Sequence, residues 1–118
     1  MDEKEWVLKA IGKTVSFMYP EPERKLEGIL RDRYAHRVPS LTKLTDYWDV
    51  IDLIEFKING KKIKAIRFGY YRRTKGKLIW GSQTTLTEEI NKLKELFKGA
   101  AREKKWFKQF LKEIVEEI

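Results

Sequence analysis

The chain has 118 residues, 42% hydrophobic and 37% charged, with a formal net charge of +8 and no cysteine. That size can bury about two-thirds of the unfolded surface in one domain, and the composition is too apolar for a disordered segment. The lack of cysteine excludes disulfides, thiolate metal sites and thiol nucleophiles.

No apolar run approaches the ~20 residues of a membrane span. The acidic opening Asp2-Glu3-Lys4-Glu5 precedes no apolar signal region, so we expect a cytoplasmic protein with no membrane partner. The amides are confined to Asn59, Asn91, Gln83 and Gln109, while Lys, Arg and Glu dominate the charged residues, a balance that suggests a thermophilic source.

In chain order, Glu5 to Ile11 carries Trp6, Ala10 and Ile11 at helical spacing before Gly12, predicting a short helix with Gly12 as its stop. From Lys13 the period becomes two: Val15, Phe17 and Tyr19 alternate with Thr14, Ser16 and Met18 up to Pro20, predicting a first strand. A second strand follows over Leu26–Val38, with Arg31, Arg33 and Arg37 sharing a face. These arginines either extend a basic surface or pair with carboxylates such as Glu27. Ser40 to Asp46 reads as a connecting loop.

Asn59-Gly60 is the preferred dipeptide of a type I′ hairpin turn, because both positions tolerate positive φ. A two-residue loop there pairs Phe56 with Ile63, Glu55 with Lys64, Ile54 with Ala65, Leu53 with Ile66, Asp52 with Arg67 and Ile51 with Phe68. Apolar residues then meet apolar ones and acids meet cations, as favourable cross-strand pairs require. Phe56, Ile63 and Ile54 fall on one face near the tip, and Leu53, Ile66, Ile51 and Phe68 on the other. A further hairpin segment runs through Lys75-Gly76 into Leu78-Ile79-Trp80.

Beyond Ser82 the period returns to helical. Leu86, Ile90, Leu93 and Phe97 share a face, and Thr85-Leu86-Thr87-Glu88 has the form of a capping box, so a helix is predicted from about residue 86 to Gly99. A second apolar stripe of Trp106 or Phe107, Phe110, Leu111, Ile114 and Ile118 predicts another helix. The expected fold is α+β: a small antiparallel five-stranded β unit, SH3-like or a strongly twisted sheet, with a short N-terminal helix and two C-terminal helices. We expect one domain over residues 1–118, with a β unit over 13–82 and a helical region over 85–118 packed on it.

The charge is unevenly placed. Residues 1–60 hold ten Lys/Arg and eleven Asp/Glu, and residues 83–118 hold eight and seven. Between Lys61 and Ser82 stand eight cations and no acid. A solvated face normally mixes signs, so a segment of one sign points to an anionic target. Cations are interleaved there with aromatic rings, which suits phosphate contacts plus base stacking. Nucleic-acid binding is therefore the first functional reading, with Lys62, Lys64, Arg67, Arg72, Arg73, Lys75 and Lys77 as cations and Tyr71 and Trp80 as stacking residues. The segment does not match the RRM signature.

The second reading is a protein-interaction or self-association module using Trp106, Phe107, Phe110, Leu111 and Ile114. Catalysis has weaker support. His36, the only histidine, shares a predicted strand face with Asp32, a pair able to orient an imidazole as a base. Glu55-Phe56-Lys57 resembles the E-x-K element of the restriction-endonuclease superfamily. That resemblance implies a magnesium-dependent nuclease with an upstream carboxylate from Asp32, Asp46, Asp49 or Asp52. No Pro-Asp precedes the element, and the Asn59-Gly60 turn departs from that family's pattern. No glycine-rich phosphate loop, dinucleotide fingerprint or Cys/His spacing is present, so no cofactor is expected.

Overall fold

The computed structural model describes residues 2–20, 23–39, 46–81 and 87–118. Its elements are α1 (Glu3–Leu8), β1 (Thr14–Pro20), β2 (Glu23–Val38), β3 (Tyr47–Ile58), β4 (Lys61–Thr74), β5 (Lys77–Trp80), α2 (Ile90–Glu103) and α3 (Lys105–Glu117). The strands form one antiparallel sheet in the order β1-β2-β3-β4-β5, as the α+β reading expects. The expected 40–46 loop lies outside the described residues except for Asp46. By its contacts the chain divides into two compact units, residues 1–35 with 50–68 and residues 36–49 with 69–118.

In the first unit, α1 starts earlier than its apolar spacing predicts, because Asp2 caps it by accepting from the Glu5 backbone N–H at 2.8 Å. Glu3 and Glu5 add favourable negative charge to its first turn. Val7 is its buried residue. The helix ends well before Gly12, which has φ +90° and donates its N–H to the Leu30 carbonyl at 2.6 Å, leading the chain into β1.

β1 pairs with β2 from Thr14↔Ile29 to Pro20↔Glu23. The core here is Leu30, Ile54 and Phe56, with Phe17 set edge-on to Phe56 at 5.0 Å. Gly28 lets these elements approach: a Cβ there would lie 2.7 Å from Ile54 Cγ2 and 3.0 Å from the Glu55 carbonyl. β3 and β4 are joined by Asn59 and Gly60 at φ 51° and 77°, the predicted two-residue turn. Phe56 and Ile54 are buried as expected, and so is Ile51, whereas Phe68, its expected partner, is exposed.

In the second unit, Lys75 and Gly76 take φ 52° and 78° and repeat the turn, pairing Thr74 with Lys77 and Tyr71 with Trp80. α2 begins at Ile90, later than predicted. Its cap is Glu89, whose carboxylate accepts from the N–H groups of Asn91 and Lys92, while Thr87 and Glu88 lie outside the helix. The other two residues of the proposed capping box lie outside the described residues. Gly99 does not stop α2. The helix continues through buried Ala100 to Glu103, and the break falls at Lys104, in extended conformation. That break lets Phe107 turn inward, fully buried, with its ring centroid 5.2 Å from that of Phe97.

Candidate functional site

In an antiparallel ribbon successive side chains alternate faces. In the first unit, Lys62, Lys64, Ile66 and Phe68 therefore share one face of β4. Lys57, Lys61, Lys62 and Lys64 are all exposed around the hairpin tip. Among the described residues Lys62 alone of these approaches a carboxylate, Glu55 at 3.8 Å, a distance at which an exposed pair contributes little. Phe68 is 42% exposed on the lysine face.

Arg67 points the other way. Its guanidinium donates to Asp52 Oδ2 at 2.9 and 3.1 Å, the one acid-to-cation pair that the hairpin register correctly predicts. The expected Glu55–Lys64 pair does not form. Glu55 accepts instead from Arg31 at 3.3 Å, with Lys62 as its second neighbour.

Arg33 is also committed to structure. It is 2% exposed, places two nitrogens on the two oxygens of Asp52 at 2.7 and 3.0 Å, and donates to the Val7 carbonyl at 2.8 Å. Arg31, Arg33 and Arg37 thus pair with carboxylates, but with Glu55, Asp52 and Asp46 rather than Glu27.

In the second unit, Arg72, Lys75 and Lys77 are exposed about the β4–β5 turn, with Arg72 reaching the Thr74 hydroxyl at 3.4 Å. Tyr70 and Arg72 share a β4 face, and Ile79, paired with Arg72, continues it on β5. Arg73 is turned away and donates to Asp46 at 2.9 Å. Asp46 also accepts from Arg37, and the Arg73 hydrogen bond, with Arg37 beside it, holds this carboxyl below the ordinary carboxylate range against the opposing effect of its desolvation.

Tyr71 and Trp80 face each other edge-on at 5.1 Å, both half-buried. The Trp80 ring lies over Gly69, where a Cβ would fall 2.1 Å from its Cη2. The two rings nominated for stacking are therefore engaged with their own strand pair. The rings that accompany exposed cations are Phe68 in the first unit and Tyr70 in the second. Carrying the period of two from Lys62 to Arg72 would have identified both.

Local pattern did not reveal a buried acid cluster in the second unit. Asp49 is 1% exposed and its Oδ1 has no hydrogen-bond partner. Burial, and then a hydrogen bond with the Glu88 side chain, push its carboxyl well above the ordinary range. Tyr47 donates its hydroxyl across both Glu88 oxygens at 2.8 Å, and burial followed by Glu88 raises its pKa. Lys92 of α2 donates to the Pro39 carbonyl at 3.0 Å.

For the catalytic readings, Asp32 accepts from the Arg33 backbone N–H at 2.9 Å, His36 is half-buried, and Glu55 and Asp52 are both held by arginines. Among the described residues no group of three or more His, Asp or Glu side chains is placed to hold a metal. No described helix is long and apolar enough to cross a membrane.

No family model, curated protein or solved structure matches the chain. Residue chemistry alone therefore carries the functional assignment.

Proposed function

We propose that the chain binds nucleic acid through its phosphate backbone. One observation carries this reading: of the eight cations between Lys61 and Lys77, six (Lys61, Lys62, Lys64, Arg72, Lys75 and Lys77) keep exposed side chains in a stretch without a carboxylate. Such groups neutralise phosphates and release condensed counterions, the main source of sequence-independent affinity.

Each unit contributes its own contact segment. The first offers Lys57, Lys61, Lys62 and Lys64 with Phe68, and the second offers Arg72, Lys75 and Lys77 with Tyr70. Arg67 and Arg73, bound to Asp52 and Asp46, serve the fold in this scheme, and Tyr71 and Trp80 are not stacking residues.

The test is anisotropy titration of labelled single-stranded and duplex DNA and RNA over a salt series, with a parallel magnesium series to reveal cleavage. Binding should weaken steeply with salt. The triple variants K61E/K62E/K64E and R72E/K75E/K77E should each lower the slope of log K against log salt by about 2 to 3, at about 0.7–0.9 per lost phosphate contact. Absence of binding at low salt, or slopes unchanged in both variants, would overturn the assignment. Magnesium-dependent cleavage would replace it with the nuclease.

A further inference from the structure

Within the second unit, α2 presents Ile90, Leu93, Phe97 and Ala101 along one face, and with Leu111 of α3 they line an open, almost wholly apolar groove of about 340 Å³. Ile90 is 70% exposed, and Lys94 and Lys98 stand one helical turn apart on the groove's margin. An apolar groove with a cationic border fits an amphipathic segment that is apolar on one side and acidic on the other.

The last two turns of α3 are such a segment. Phe107 is buried and Leu111 half-buried, but Ile114 is 39% and Val115 73% exposed, among Glu113, Glu116 and Glu117. The charge order of α3 also opposes its own dipole. Lys105 and Lys108 occupy its first turns, acids occupy its last, and neither end has the compensating sign. Charges placed this way destabilise a helix, and an arrangement that sets the acidic end against the lysines of another copy offsets that cost.

We propose that two copies of this chain associate about a two-fold axis. The acidic, apolar end of α3 from each copy docks in the α2 groove of the other, with Ile114 and Val115 entering the groove and Glu113, Glu116 and Glu117 facing Lys94 and Lys98. Because each copy supplies both a groove and an end, the contact is reciprocal and closes at the dimer. The assembly does not depend on nucleic-acid binding, and the two are read by different signals.

Sedimentation equilibrium of the intact chain over a concentration series should show a reversible monomer–dimer transition. I114D/V115D should give monomer at every concentration, with circular dichroism confirming that the helices remain. K94E/K98E should weaken association at least about tenfold by setting acids against acids. Combining it with E113K/E116K/E117K in one chain should restore dimerisation, because both halves of the contact are then reversed together. Monomer at concentrations up to about 1 mM, a mass beyond the dimer, or no recovery in the combined variant would overturn the proposal.

Discussion

Asp49 and Asp52 stand one helical-turn length apart in sequence but on a single strand, β3, and both are shielded from solvent, at 1% and 0% exposure. Their surroundings differ. Asp52 lies between two guanidinium groups, with Arg33 bidentate across both oxygens and Arg67 on Oδ2. Asp49 meets Glu88, and one of its oxygens has no partner. Burial penalises a carboxylate in both places, but Asp52 has two guanidinium groups hydrogen-bonded to it, whereas at Asp49 the charge of Lys92 opposes burial and Glu88 without outweighing them. Depth alone therefore does not decide whether a buried acid stabilises a fold. The sign and hydrogen-bonding capacity of its neighbours decide it.

The largest test of this contrast is Asp52→Ala, which leaves the buried Arg33 guanidinium without the carboxylate that both of its nitrogens address. A loss of about 3–5 kcal/mol is expected in urea denaturation, as for other buried pairs deprived of one member. A loss below about 1 kcal/mol would mean that the guanidinium finds water or another acceptor at little cost.

Arg67→Met should cost less, about 1–2 kcal/mol, since Arg67 is partly exposed and Arg33 still holds Asp52. A cost equal to that of Asp52→Ala would show that the two arginines act as one indivisible network.

Asp49→Asn is expected to stabilise by about 1 kcal/mol at neutral pH, because a neutral amide avoids the cost of a buried acid and can donate to Glu88. The sign follows from linkage. A folded-state pKa raised above the unfolded value means that the native state retains a proton the unfolded state has released. The contribution of Asp49 to stability should therefore be fully present below about pH 4 and fall as pH rises into the alkaline range, and the variant should flatten that part of the profile. A variant that loses stability at pH 7 would contradict the assigned direction. Asp46 has the opposite sign: its lowered pKa supplies stability that is lost on acidification.

The smallest expected effect is Tyr47→Phe, which removes one hydroxyl from Glu88 and should cost no more than about 1 kcal/mol. Ultraviolet titration should show that the variant lacks a tyrosine ionising above the ordinary range, and an unchanged titration curve would remove Tyr47 from the cluster.

Short-range signals made most of the architecture legible. Asn59-Gly60 specifies its turn because positive φ is a local requirement, and from that turn the period of two pairs Asp52 with Arg67. The clustering of exposed lysines on β4 could be read in the same way, since an unpaired lysine mostly stays in water wherever the strand runs. The misreadings share a cause. Gly99 and the 85–88 capping pattern are locally sound helix signals, yet burial of Leu96 and Ala100 carries α2 past Gly99, and Tyr47 takes the Glu88 carboxylate away from any capping role.

The amino-acid sequence by itself determined the element types, the turn at Asn59-Gly60 with the Asp52–Arg67 pair that follows from it, and the concentration of positive charge in 61–77, because each depends on residues adjacent in the chain or paired across one turn. Tertiary structure decided that Arg33, Arg37 and Arg73 are structural, and that Asp49 is a poorly compensated buried acid while Asp52 is a satisfied one. Those outcomes depend on partners such as Val7 for Arg33 and Glu88 for Asp49, distant in the chain, and no local period records such a meeting.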